Sequence, residues 1–243
     1  MKASQGIFKF AALSASVLAC FSAQAEWSAN ASVTNNYIWR GLTQTTNEPA
    51  VQGGIDYTSE SGFYAGTWAS NVQYAADDVF SYEHDIYFGY AGETDTFTYD
   101  IGYLYYNYDS EAEFDFGEIY GSIGFNNFTF TAYLLANTEA DEGFSPSGDE
   151  QNFDFASAFY FSADYAYEIK EGLELGLHIG FQDGDFSEAF NGVENGYFDY
   201  SVSLAKDGFS FTVTTTDLED AGPDGLDNDE VKFVVGYAVD FAL

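Results

Sequence analysis

The sequence has one cysteine, one methionine, three prolines and only six Lys+Arg in 243 residues. A single Cys excludes a disulfide framework and any Cys-rich metal site. Six cations against 40 acids leave a formal net charge of −34, which repels phosphate and argues against nucleic acid as a partner. Beyond the N-terminal stretch, no segment reaches the ~18 uninterrupted apolar residues of a membrane helix. What the chain has in abundance is aromatic: 25 Phe, 20 Tyr and 3 Trp, alongside 24 Gly. That much apolar surface argues against a disordered chain. The aromatic, glycine-rich and proline-poor balance favours strands over helices. The length permits one domain or two, and a single large β-domain falls within the normal range.

Lys2 and Lys9 precede an apolar run from Phe10 to Phe21, and Ala23-Gln24-Ala25 supplies a small-x-small pattern. This describes a secretory signal peptide over 1–25, cleaved after Ala25. A transmembrane helix is the first alternative, but the run falls short of a ~20-residue span. Lipoprotein processing at Cys20 is the second, since Val17-Leu18-Ala19-Cys20 loosely resembles a lipobox. Cleavage after Ala25 leaves 26–243 as an exported chain without cysteine, whose cations are Arg40, Lys170, Lys206 and Lys232.

Through 26–243 runs a two-residue period, the mark of a strand with unlike faces. Val231, Phe233, Val235, Tyr237, Val239, Phe241 and Leu243 fall on one face, opposite Lys232, Val234, Gly236, Ala238, Asp240 and Ala242. The same alternation covers 173–181, 82–90, 97–105 and 153–169. Weaker versions occupy 27–39, 51–57, 63–71, 117–125, 128–136, 197–205 and 208–216. The faces of 63–71 stay unassigned, because Phe63 and Ala65 compete with Tyr64 and Trp68.

Twelve strands leave eleven connections, which alternate long and short throughout. All three prolines fall in long ones, where no ladder hydrogen bond is lost. This is the layout of an all-β, up-and-down antiparallel barrel of the outer membrane, with short periplasmic turns and long acidic extracellular loops. Closure satisfies every backbone group without water. Trp27, Tyr37 and Trp39 lie near strand ends, as interface girdles require. A secreted β-sandwich would also alternate, but it explains neither the loop-length rhythm nor the aromatic outward face.

The segment Ser32-Val33-Thr34-Asn35-Asn36-Tyr37-Ile38-Trp39-Arg40-Gly41-Leu42-Thr43-Gln44-Thr45 resembles the opening strand of the TorF-like family of proteobacterial outer-membrane porins. Pro49 to Tyr57 and Gly62 to Val72 are similar to that family too. The resemblance is specific over 30–72, and beyond it only strand rhythm matches. It implies a porin-type barrel without a defined substrate. The chain departs from the usual outer-membrane pattern by ending in Leu243 rather than Phe, though Phe241 and Val239 hold the expected phase.

Twenty-three of the 40 acids lie in the six long connections. They read as a solvated surface kept apart by repulsion, or as loops that bind Ca²⁺ or Mg²⁺. Asp224, Asp227, Asp229 and Glu230 are the candidate ligands, being hard oxygens at a spacing that matches no calcium-loop motif. No other cofactor is expected.

The inward phase carries Asp56, Glu83, Asp85, Asp100, Asp164, Glu174 and Asp199, with His178 among them. Facing lipid, each charge would cost about 2–4 kcal/mol at the midplane. Acid rings without compensating cations favour cations. Arg40 and Lys232 are expected near the extracellular strand ends, either as a mouth constriction or as rim salt bridges. Gly54, Gly89, Gly102, Gly176, Gly180 and Gly236 are expected to leave room in the bore, while Tyr87, Tyr106 and Tyr133 narrow it. The competing picture is a wet interior plugged by inward loops, since twelve strands make a barrel of intermediate width.

An enzyme is not expected. His84 faces lipid with no serine two residues away, His178 faces inward, and no Gly-x-Ser-x-Gly or paired metal histidines occur. The sequence therefore reads as a passive channel for small polar solutes, cationic or neutral, in contact with outer-membrane lipid. The runner-up is a non-conducting barrel whose acidic loops bind divalent cations, surface polymer or a partner. A lipid-modifying enzyme comes third.

Overall fold

The computed structural model describes residues 25–145, 148–191, 196–219 and 225–243. The expected cleavage segment with Cys20 lies outside them, apart from Ala25, and so does Asp224.

Twelve long strands form a closed antiparallel barrel. They are β1 (Glu26–Thr34), β4 (Ala50–Thr58), β5 (Phe63–Asn71), β6 (Tyr82–Glu93), β7 (Thr98–Asn107), β8 (Phe116–Phe125), β9 (Phe128–Thr138), β10 (Ala158–Lys170), β11 (Leu173–Gly184), β12 (Tyr197–Lys206), β13 (Phe209–Thr216) and β14 (Lys232–Ala242). Each pairs with its neighbours in sequence, and β1 closes the ring by pairing with both β4 and β14. Two further strands, β2 (Ile38–Trp39) and β3 (Leu42–Thr43), make a small hairpin inside the first long connection.

The strand count, the closure and the long–short rhythm are as the sequence indicates. Short turns join β4–β5, β6–β7, β8–β9, β10–β11 and β12–β13, and both ends of the described barrel sit at this short-turn end. Asn126, Asp207 and Gly208 adopt positive φ there, the requirement of tight two-residue hairpins. Outside, the alternation exposes Ile86, Phe88, Ile101, Ile123, Phe130, Val202, Phe211, Phe233 and Val235, among many others. So continuous an apolar belt on a closed barrel is the surface of a protein that crosses a membrane.

Register settles 63–71. Tyr64 opposes Gly89 and Ser70 opposes Glu83. Tyr64 and Ser70 are buried, so Tyr64, Gly66, Trp68 and Ser70 face inward and Phe63 faces out.

Three expectations fail. The first strand ends at Thr34 rather than near 39, and 35–49 leaves the wall and folds into the bore. The strand expected from 153 begins at Ala158, which frees Phe153 to pack inside. A seven-residue helix, α1 (Asp185–Asn191), occupies part of an expected loop, where it was too short for its period to register. Phe186 and Phe190 share one face of that helix and meet Phe116 and Trp39 at 5.0 and 5.9 Å between ring centroids.

The inward glycines do not leave the bore empty. A Cβ at Gly89 would run into the Tyr64 hydroxyl, and one at Gly180 would meet Tyr160 and Asp199. Gly89, Gly102 and Gly180 are places where a tyrosine from a neighbouring strand lies across the wall, whereas Gly176 faces Ser203 and Gly54 faces Asn30 and Trp68.

Candidate functional site

The interior divides into two halves. Toward the short-turn end the inward side chains are half-buried: Asp56, Asp100, Ser122, Thr131, Ser162, Asp164, Glu174, His178, Ser201 and Ser203. Toward the long-loop end they are buried beneath the first connection, in which every residue from 36 to 45 except Ile38 is buried.

That connection crosses the whole bore. It leaves the wall at β1, and β9 stands six strands away in either direction round the ring. Arg40 reaches that far side: its guanidinium carbon lies 5.0 Å from the ring centre of Tyr133 on β9 and 4.5 Å from that of Tyr160 on β10. The Trp39 ring lies 4.1 Å away on the loop itself. Nη2 donates to Glu118 on β8 at 2.6 Å, with both side chains almost fully buried. The Tyr197 hydroxyl on β12 donates to the Arg40 carbonyl at 3.1 Å. At Gly41 a Cβ would stand 2.5 Å from Thr216 and 2.6 Å from Asp199, so only glycine lets the loop tip rest on that wall. Arg40 itself holds φ at 48°, a left-handed conformation that a residue with a long side chain adopts only when its surroundings impose it. The expected rim position for Arg40 is thus corrected: the residue is buried in the interior as an ion pair with Glu118, between the rings of Tyr133 and Tyr160.

Apart from Glu118, which has Arg40, and Asp164 and Asp199, which face His178, the hydrogen-bonded inward acids find neutral donors, mainly phenols. Glu83 accepts from Tyr37 at 2.8 Å and Tyr108 at 2.9 Å. Asp100 accepts from Tyr64 at 2.7 Å. Asp56 accepts from Tyr87 and, at 3.3 Å, from Asn30. Glu118 takes Tyr106 at 3.1 Å as a second donor. A neutral phenol satisfies lone pairs without cancelling charge, so the negative field persists.

His178 sits between two carboxylates, with Nδ1 2.6 Å from Asp164 and Nε2 2.8 Å from Asp199, while the Tyr160 hydroxyl donates to Asp199 at 3.0 Å. Glu174 lies half-buried near the short-turn end. Lys232 is buried, and its Nζ donates to the carbonyls of Asn228 at 3.0 Å and Glu230 at 3.2 Å, tying the last long connection to the wall.

Asp85 is different. It is 0% exposed, and neither carboxylate oxygen has a hydrogen-bond partner. Such a group bears its full desolvation cost. Replacing Asp85 with Val, a shape suited to a strand, should stabilise the barrel by about 1–3 kcal/mol. The check is the temperature at which the folded form is lost on unboiled gels, which should rise.

Glu118, Tyr64, Tyr108 and Tyr160 were not singled out by the sequence. Glu118 was findable, because Ile119, Ile123 and Phe125 hold the outward phase and leave it facing in. The pairing of tyrosine with acid was not, since it depends on strands far apart in the chain.

Among the described residues, no group of three His, Cys, Asp or Glu is arranged to hold a metal ion. Asp227, Asp229 and Glu230 are exposed. On the outer wall, Thr67 Oγ1 lies 2.6 Å from His84 Nε2 and donates to the Asp85 carbonyl at 2.9 Å. Its one proton is therefore committed, and His84 must donate to it rather than act as its base.

A family model described as "Bacterial protein of unknown function (Gcw_chp)" matches residues 19–234. It does not name the TorF-like family. No curated protein matches the chain. Among solved structures, the NanC porin is similar with a TM-score of 0.55 and 11% identity, over 89% of this chain and 100% of that one. The KdgM porin follows at 0.52 and 9% identity, over 89% and 99%. A KdgM porin in complex with disordered oligogalacturonate gives 0.50 and 9%, over 90% and 99%. At these identities the likeness is one of fold.

Proposed function

The chain belongs to the Gcw_chp family of bacterial proteins of unknown function, and from that premise we propose that it is an outer-membrane channel for small polar solutes, favouring cationic or neutral ones. The short turns face the periplasm and the long acidic loops face outward, the arrangement of outer-membrane barrels. The observation that carries the reading is the inner wall: a closed barrel, apolar outside, whose half-buried interior presents Asp56, Asp100 and Glu174 with no lysine or arginine bonded to them among the described residues, and Asp164 with His178 against it. A wall of one sign in a low-dielectric tube concentrates counter-ions and excludes co-ions. The first connection and α1 narrow the passage at the long-loop half, which restricts it to small solutes.

One porin of similar fold, KdgM, is described in complex with disordered oligogalacturonate, a polyanion. This interior is unsuited to such a polyanion, so the shared fold is read here as serving the opposite charge preference. Reversal potentials of the refolded protein in a planar bilayer under a KCl gradient test the proposal. A second reading, a non-conducting barrel, is favoured by the buried crossing of 36–45, and bilayers that stay silent with folded, inserted protein would establish it.

A further inference from the structure

We propose that Glu118, Tyr133 and Tyr160 form a receptor for a planar guanidinium-type cation, filled in this structure by the chain's own Arg40, so that a solute bearing that group displaces the loop and widens the bore. The inference rests on the channel reading and adds a ligand class and a gate to it.

The pocket has the parts that recognise such a cation. One carboxylate takes an Nη2 hydrogen bond at 2.6 Å, and two wall-borne rings stand 5.0 and 4.5 Å from the guanidinium carbon. Rings at that range attract a desolvated cation through their quadrupoles, and a flat guanidinium stacks on them better than a compact ammonium does. The wall supplies all three groups. Arg40 brings only the cation, on a loop that is otherwise anchored by hydrogen bonds such as Tyr37 to Glu83 and Tyr197 to the Arg40 carbonyl.

The less tightly packed approach is from below, past Tyr120, which is itself buried. On β8, β9 and β10 the next inward residues toward the short-turn end are Tyr120, Thr131 and Ser162, followed by Asp164. Thr131, Ser162 and Asp164 are half-buried rather than sealed. A cation gathered by the acidic lower half therefore meets the receptor from the side away from the loop. A tethered group competes at an effective concentration in the millimolar range, so a free competitor works at millimolar levels or gains further contacts on that polar wall.

The test uses the complete chain refolded in lipid vesicles, with Gln44→Cys as a reporter. Gln44 is buried in the loop, and the only natural cysteine is Cys20. The rate of maleimide labelling is measured in tens of millimolar guanidinium chloride and in sodium chloride of equal strength. The expected result is labelling roughly tenfold faster in guanidinium than in sodium. In a Glu118→Gln background, labelling should be fast in both salts. Equal rates in the two salts for the parent would overturn the receptor, even if Glu118→Gln labels quickly, because a merely structural ion pair predicts that pattern. Labelling needs no ion flow. A barrel that labels as expected but never conducts loses the channel and keeps the receptor, and one that conducts with salt-indifferent labelling does the reverse.

Discussion

Replacing Arg40 with Ala should destabilise the folded barrel by about 3–5 kcal/mol, the usual effect of removing one partner from a buried ion pair. Both side chains are nearly excluded from water, so the variant strands a bare Glu118 carboxylate with Tyr106 as its remaining donor. Loss of the contacts with Trp39, Tyr133 and Tyr160 adds to the effect, at about 0.5–2 kcal/mol for each desolvated cation–aromatic contact. Urea unfolding in lipid, followed by gel mobility, reads the change. The double variant Arg40→Met, Glu118→Leu should recover most of it, because apolar groups of similar size remove the buried charge together with its partner. An Arg40→Ala variant within about 1 kcal/mol of the parent would mean that the pair behaves as an exposed one and that the loop does not cross the bore.

The second large effect concerns selectivity. Neutralising Asp56, Asp100, Asp164 and Glu174 together, each to its amide, should lower the preference for potassium over chloride by roughly tenfold, as expected for removing a focused field. These four are chosen because water reaches them in the lower half. Glu83 and Asp85 are acids in the same phase, yet lie buried beneath the loop at 2% and 0% exposure. Their neutralisation should change stability more than selectivity. Ion selectivity of the four-amide variant, compared with Glu83→Gln, separates the two halves of the interior.

Most of the barrel was legible because a membrane-crossing strand has no latitude. Its outward residues must be apolar and its polar residues must face in, so Asp85, Asp100 and Asp199 could be placed from parity alone. Register then did what parity left undone at 63–71, where Tyr64 and Trp68 are as apolar as their outward neighbours and only pairing with Gly89 and Asp85 fixes their side. The content of the bore was not legible. Gly89 and Gly180 read as space, whereas each is the footprint of a tyrosine from another strand. Tyr37, Trp39 and Arg40 continue the alternation of β1 with no break in period, and what turns them inward is a set of long-range partners: Glu83, Glu118 and Tyr197. Arg40 followed by Gly41 was the local hint of a turn, since glycine suits the positive φ found there.

The central claim is that an acidic interior passes cations in preference to anions. It is tested most directly by the reversal potential of the purified, refolded protein in a planar bilayer separating two KCl concentrations. A potential of the sign set by potassium, which collapses toward zero in the four-amide variant, is the predicted result. A potential set by chloride would contradict the account, because a wall on which carboxylates outnumber cations repels anions.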